Sequence, residues 1–366
     1  MEALRNEDLK LDKKTIRAAI KDTAKSAAAM HLVYVSDKHA GFTRQRHGKQ
    51  FLYLDGEKKI DDDEQLTRIK KLVIPPAWEE VWICKKTNGH LQVTGMDVLK
   101  RKQYRYHPLW NVVRSHTKFY RLREFGKQLP SIREQLEKDL AKPGFPQEKV
   151  LAAVVSLLER TNIRVGNAFY EKLYGSFGLT TMKNRHAEVS GSKIQFTFKG
   201  KKGVQHKVSL RSRRLANIVK ACKEIPGKEL FEYYDDAGKV HSVDSGMVND
   251  FIRKISGGDF TAKDFRTWAG TVHALTALKK LGSFETETEM KQKIPAALDE
   301  VAIQLGNTRM VCRKYYVHPA IIELYEARKL DKYINELDAI EVNDEKTGLT
   351  PEEKVLMKIL KNPITP

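Results

Sequence analysis

Cysteine is scarce in this chain. Three in 366 residues, Cys84, Cys222 and Cys312, odd in number and far apart, argue against a disulfide framework and a cysteine-built zinc centre and point to a reducing compartment. Long apolar runs are missing as well: no stretch of about 18 consecutive apolar residues occurs, so no membrane-spanning helix is expected. The first 30 residues carry Glu2, Glu7, Asp8 and Asp12 without a continuous apolar segment, unlike a secretory signal. Clustered carboxylates at Asp61-Asp62-Asp63 and Asp235-Asp236 read as a helix cap and a polar turn. No Walker A loop is present. A metal-dependent nuclease and an ATP-driven motor are therefore disfavoured, and neither a metal nor a cofactor is expected.

What the chain has in excess is positive charge. Lys and Arg number 66 against 47 acids, a formal net charge of +19, and such an excess calls for a polyanionic partner, nucleic acid first. Its placement sharpens this. Residues 98–127 hold nine Lys/Arg against the single acid Glu124, and residues 183–223 hold twelve against Glu188. Two such stretches in separate domains are expected to form two halves of a clamp on duplex DNA, whose binding would then be steeply salt-dependent through counterion release. A monomer, cytoplasmic and nucleoid-associated, is expected, with no membrane partner.

The pattern divides the chain into an N-terminal helix (1–30), a strand-rich domain (31–107), a larger mainly helical domain (108–331) and an acidic accessory tail (332–366), an α+β fold. Leu32–Val35 reads as a strand. Gly41–Thr43 and Phe51–Leu54 read as strands around His47-Gly48-Lys49, and Val81–Cys84 with His90–Val93 as a hairpin turning at Asn88-Gly89. From Pro108 the apolar spacing becomes helical. Further helices are expected at 131–141, 147–161, 165–174, 211–223, 244–256, 261–281, 286–305 and 308–331. A three-stranded insertion at 187–190, 193–198 and 205–210 interrupts them, and a short helix is expected from Pro351 to Leu360.

Within this frame stands a scattered set suited to a phosphodiester: Ile163-Arg164-Val165-Gly166-Asn167, Lys199-Gly200-Lys201, Lys263 through Arg266 to Gly270, Leu305-Gly306-Asn307-Thr308 and Arg313-Lys314-Tyr315-Tyr316. Guanidinium groups hold phosphate oxygens through paired bonds. A lysine on a Gly-flanked turn can protonate a leaving oxygen, and an amide can donate to a nonbridging one. A phenol, with an ordinary pKa of about 10, is a good enough leaving group for a freed hydroxyl to attack back. Cutting and resealing through a protein ester would thus need no ATP. Lys102-Gln103-Tyr104-Arg105-Tyr106 adds a DNA signal: in a strand Gln103 and Arg105 face one side, Tyr104 and Tyr106 the other.

In order and spacing these segments resemble the type IB DNA topoisomerases, particularly the small poxviral and bacterial ones, over residues 30 to 330. The resemblance implies an enzyme that relaxes supercoiled DNA through a 3′-phosphotyrosyl intermediate, independently of ATP and metal. It places the nucleophile at Tyr316, with adjacent Tyr315 as the internal rival, and makes Arg164 and Arg266 the charge stabilisers. It assigns the general acid to Lys201, ahead of its neighbours Lys202 and Lys199, and makes Lys263 a supporting lysine. Arg101, Lys102, Gln103, Tyr104 and Tyr106 match a segment that reads DNA around the cleavage site. Asn307 stands where many relatives have His; an amide donates a hydrogen bond but carries no charge, so its expected role is oxyanion stabilisation alone. Tyrosine recombinases are the nearest rival, but they normally have His where this chain has Lys263. A catalytically silent, basic DNA-binding protein would explain the charge and leave the ordered set a coincidence.

Overall fold

The computed structural model describes residues 27–361 except 29, 49, 99, 101 and 339–346, without the side chains of 111–120 and 336–338. Most of the expected N-terminal helix, Arg101 and part of the acidic tail thus lie outside the described residues. The chain separates into two compact units, one up to Tyr120 and one from Arg121 onward. The division falls inside a helix.

In the first unit, β1 (Gly41–His47), β2 (Gln50–Asp55) and β3 (Lys58–Lys59) are followed by α1 (Asp63–Lys71), then β4 (Glu79–Cys84), β5 (Leu91–Met96) and β6 (Lys102–Tyr106). They form a six-stranded sheet of order β3-β2-β1-β4-β5-β6, in which every neighbouring pair is antiparallel. Phe42 pairs with Ile83 and Thr43 with Trp82, which puts Phe42, Ile83 and Val93 in a core closed by Ile69 of α1. The Asp62 carboxylate caps α1 by accepting from the Glu64 and Gln65 N–H groups, as the acidic triplet suggests. Leu32–Val35, expected as a strand, makes only an isolated bridge from Val33 to Gly89. β6 is an edge strand.

α2 (Pro108–Leu140) runs unbroken through Pro130, where the sequence predicts a separate helix from 131. Phe125, Leu129, Ile132 and Leu136, at spacings of four and three, are all buried, and this stripe carries the helix past the proline. The second unit continues with α3 (Gln147–Thr161), α4 (Ala168–Tyr174), β7 (Ala187–Ser190), β8 (Lys193–Lys199), β9 (Gln205–Arg211) and α5 (Arg213–Cys222). A small hairpin, β10 (Glu232–Tyr234) and β11 (Val240–Ser242), follows. Then come α6 (Ser245–Ser256), α7 (Ala262–Leu281), α8 (Glu287–Leu305), α9 (Arg309–Tyr315), α10 (Pro319–Glu326), α11 (Asp331–Asp338) and α12 (Pro351–Lys361). β7, β8 and β9 form the expected three-stranded antiparallel sheet. α3 is buried along nearly its whole length, Val150 to Leu158, so it forms the centre of the core. Among the described residues no helix is long and apolar enough to cross a membrane.

The helix expected over 308–331 is instead two pieces, α9 and α10, and α11 starts only at Asp331. α9 stops at Tyr316, whose backbone leaves the helix at φ −129°, and Pro319 starts α10 in a first-turn position. A proline is tolerated there because that N–H has no helical partner, and its ring disfavours a helical residue before it.

α12 forms where the sequence suggests a short helix, but it is no appendage. Val355, Leu356 and Ile359 are fully buried. The Glu353 carboxylate accepts from both terminal nitrogens of Arg133 (2.8 and 2.9 Å) and from Trp268 Nε1 (2.8 Å). Arg133 Nε also donates to Glu159 at 2.8 Å. Burial alone would lower the Arg133 pKa, but Glu159 and Glu353 raise it. Glu353→Ala would leave the indole N–H unpaired and Arg133 with Glu159 as its one remaining carboxylate. The expected loss is about 1–3 kcal/mol of unfolding free energy for each donor left unpaired, measured by denaturant titration; a total loss below about 1 kcal/mol, the scale of a surface pair, would show the network to be peripheral.

Candidate active site

The left-handed cap at Asn162 (φ 56°) ends α3 and turns the chain toward Arg164. Backbone bonds from Leu179 N to Arg164 O (2.9 Å) and Thr180 N to Val165 O (2.7 Å) hold that segment. Arg164 Nη2 donates to Asn307 Oδ1 at 2.7 Å and lies 3.2 Å from the Gly306 carbonyl. Asn307 follows α8 directly after Gly306, whose left-handed cap (φ 55°) turns the chain back. Arg266, on the second turn of α7 and only 4% exposed, donates to the carbonyls of Asn162 and Leu305, the latter at 2.7 Å. Arg164, Arg266 and Asn307 are thus joined through the ends of α3 and α8.

Two buried donors in this cluster have no partner among the described residues: Arg266 Nε and Asn307 Nδ2. Because Asn307 Oδ1 accepts from Arg164, its amide nitrogen is the free end. Buried donors left unmade cost free energy unless a ligand supplies the acceptor. Burial first, then the nearby Arg266 charge, pushes the Arg164 guanidinium down to about 10, and burial also lowers Arg266. Both remain cationic at neutral pH, so the site holds crowded positive charge suited to an anion.

Tyr316 closes this cluster. The Arg266 guanidinium carbon stands 5.3 Å from the centre of its ring. Its backbone lies against α7, where a Cβ on Gly270 would come within 2.8 Å of the Tyr316 carbonyl oxygen. Thr271 Oγ1 lies 3.2 Å from that oxygen and accepts from the His318 N–H at 3.1 Å. Tyr315 is 44% exposed, with Lys314 Nζ 5.5 Å from its ring centre. Cys312, one turn earlier, is buried, and burial pushes its thiol up to about 11, so it stays protonated.

Lys201 stands at the turn between β8 and β9 and lines one cleft with Arg164, Asn162 and His206; its Nζ is 5.8 Å from the Tyr170 ring centre. Lys199 and Lys202 do not line that cleft. Lys263 sits exposed on the first turn of α7, and among the described residues its side chain makes no hydrogen bond or ion pair to the cluster. Sequence reasoning passed over Asn162, Thr271 and His206. Only His206 left a signal, an imidazole five residues beyond Lys201.

In the first unit, Tyr104 and Tyr106 stack on one face of β6, ring centres 6.0 Å apart, and Tyr104 is half exposed. Gln103 Nε2 donates to Asp97 at 2.9 Å, and Lys102 pairs with Asp37. Two carboxylates thus occupy the groups expected to meet DNA.

Two family models match this chain. Residues 102–341 match the family model for the eukaryotic DNA topoisomerase I catalytic core, and residues 50–97 that for the bacterial DNA topoisomerase IB N-terminal domain. DNA topoisomerase 1B of Acanthamoeba polyphaga mimivirus is 30% identical over 304 residues, 79% of this chain and 89% of that protein. DNA topoisomerase 1B of Vaccinia virus (strain Copenhagen) is 23% identical over 294 residues, 76% and 88% of the two chains.

Proposed function

The chain belongs to the type IB DNA topoisomerases, and from that premise we propose that it relaxes supercoiled duplex DNA by cutting one strand through Tyr316 and resealing it. The observation that carries this reading is the pair of unpartnered buried donors, Arg266 Nε and Asn307 Nδ2, in the cluster where the Arg266 guanidinium stands over the Tyr316 ring. A backbone phosphate placed there would accept from both and from Arg164. The Tyr316 phenol releases its proton to solvent as its oxygen attacks phosphorus and the bond to the 5′ oxygen breaks, leaving the DNA 3′ phosphate esterified to the enzyme. Arg164, Arg266 and Asn307 meet the charge on the nonbridging oxygens, where preorganised donors act most strongly. Lys201 supplies the proton to the departing 5′ oxygen, with Lys263 in support. After the cut strand swivels, the 5′ hydroxyl attacks the ester and Tyr316 leaves. The ester conserves the bond energy, so ATP has no step to drive.

Duplex DNA would also contact β6 through Gln103, Tyr104, Tyr106 and Lys102, with Arg101 preceding them, once the bonds to Asp97 and Asp37 exchange for phosphate and base edges. Lys193, Lys199, Lys207 and Arg211 are exposed on the β8–β9 strands and pair with no acid among the described residues, which supports a second phosphate-tracking surface. The protein acts as a monomer on nucleoid DNA in the cytoplasm, the two basic stretches gripping one duplex.

The test is plasmid relaxation in EDTA without ATP. Positive and negative supercoils should both relax, and activity should fall steeply as salt rises; strict dependence on added Mg²⁺ or ATP would contradict the reading. Within the site, Asn307→Ala should slow cleavage by about 10²–10³-fold, the scale of one lost oxyanion donor, while Asn307→His should stay active. A single-turnover cleavage assay measures both, and an Asn307→Ala rate equal to wild type would remove Asn307 from the chemistry.

A further inference from the structure

The turn that carries Lys201 and the loop that carries Asn307 meet at one side chain, His206. Its ring lies nearly parallel to Phe198, centroids 5.0 Å apart and planes 13° apart. A Cβ on Gly200 would stand 2.5 Å from the imidazole Cδ2, and one on Gly306 would stand 2.2 Å from Cε1. Neither distance is possible between unbonded carbons, so the ring fills the space that side chains at both positions would need. Gly200 immediately precedes Lys201, and Gly306 immediately precedes Asn307. Burial first, then the Arg164 and Arg266 charges, lowers the imidazole pKa. At neutral pH the ring is therefore uncharged and adds no third cation to the cluster. Among the described residues it makes no hydrogen bond, so its contact with both loops is one of shape.

We propose that His206 is a positioning residue, a flat wedge that sets the gap between the Lys201 turn and the Asn307 loop so that both address the same phosphate. The inference rests on the cleavage chemistry proposed above. Misplacing a catalytic group by about 1 Å can cost about 10²-fold in rate, and loss of the wedge acts on Lys201 and Asn307 without removing either.

The experiment is single-turnover formation of the covalent DNA adduct on a nicked-release oligonucleotide duplex, with duplex affinity and thermal melting measured alongside. His206→Ala should slow adduct formation about 10–100-fold with duplex affinity unchanged. A substrate with a 5′-bridging phosphorothiolate, whose sulfur leaves without a proton, should restore part of that rate, because it bypasses Lys201. Gly200→Ala is compatible with its backbone (φ −92°) but drives a methyl group into the ring, so it should be slow in the wild-type background. In the His206→Ala background the methyl finds room and should cost nothing more; coupling of this kind marks residues in contact. Full additivity of the two changes, or a wild-type rate for His206→Ala, would overturn the proposal. If the wild-type protein itself formed no adduct, the cleavage reading would fall first; an active wild type with an unaffected His206→Ala would sink this inference alone.

Discussion

Tyr316→Phe is expected to bind duplex DNA as the wild type does and to form no covalent adduct, whereas Tyr315→Phe is expected to retain adduct formation. The two neighbours differ in surroundings. Tyr316 ends α9, leans its backbone on Gly270 and Thr271 of α7, and has the Arg266 guanidinium beside its ring. Tyr315 is half exposed, and Lys314 is the charge over its ring. Phenylalanine keeps the Tyr316 ring packing and removes only the hydroxyl, so loss of the adduct would report chemistry and not folding. Equal melting temperatures for the two variants would secure that point. An adduct on Tyr316→Phe, with none on Tyr315→Phe, would move the nucleophile by one residue.

The second large effect separates charge stabilisation from proton transfer. Arg164→Ala removes a guanidinium that bonds Asn307 and Gly306 and faces the proposed phosphate, so cleavage should fall about 10³–10⁵-fold, the scale of an arginine acting on a phosphoryl transition state. Lys201→Ala should fall about 10²–10⁴-fold, the usual worth of a positioned general acid. A 5′-bridging sulfur leaves without protonation, so the phosphorothiolate substrate should restore much of the Lys201→Ala rate and leave Arg164→Ala slow. Burst kinetics on the two substrates reads both outcomes. Rescue of Lys202→Ala with none for Lys201→Ala would shift the acid along the turn, and rescue of Arg164→Ala would assign that arginine to the leaving group.

Much of the fold was legible because local signals agreed with tertiary ones. The β4–β5 hairpin, the Asp62 cap and the strands 187–190, 193–199 and 205–211 carry turn chemistry and alternation readable from the local sequence. What local reading missed depends on packing. Pro130 predicts a break, but the buried stripe of Phe125 to Leu136 carries α2 through it. The periodicity from 308 to 331 looks continuous, yet α7 takes the Tyr316 carbonyl beside Thr271 and breaks the helix where the tyrosine stands. The acidic composition of the tail hides Glu353, whose carboxylate is buried against Arg133 and Trp268.

The site was legible in a different sense. The family resemblance pointed to Arg164, Lys201, Arg266, Asn307 and Tyr316, but it does not tell which amide atom of Asn307 is unpartnered or that Arg266 is held by the carbonyls of Asn162 and Leu305. Those facts come from α3 and α8 ending side by side. His206 escaped for the same reason: its neighbours Gly200 and Gly306 are 106 residues apart in the sequence.

The most direct test of the central claim is to trap the complex with denaturant during relaxation, digest it with trypsin and locate the nucleotide by mass spectrometry. Cleavage after Lys314 and Arg328 gives a peptide containing both Tyr315 and Tyr316, and fragmentation distinguishes them. The account predicts a DNA 3′ phosphate esterified to the Tyr316 oxygen, with a free 5′ hydroxyl on the other strand end. Attachment through a 5′ phosphate, or to any residue other than Tyr316, would contradict it.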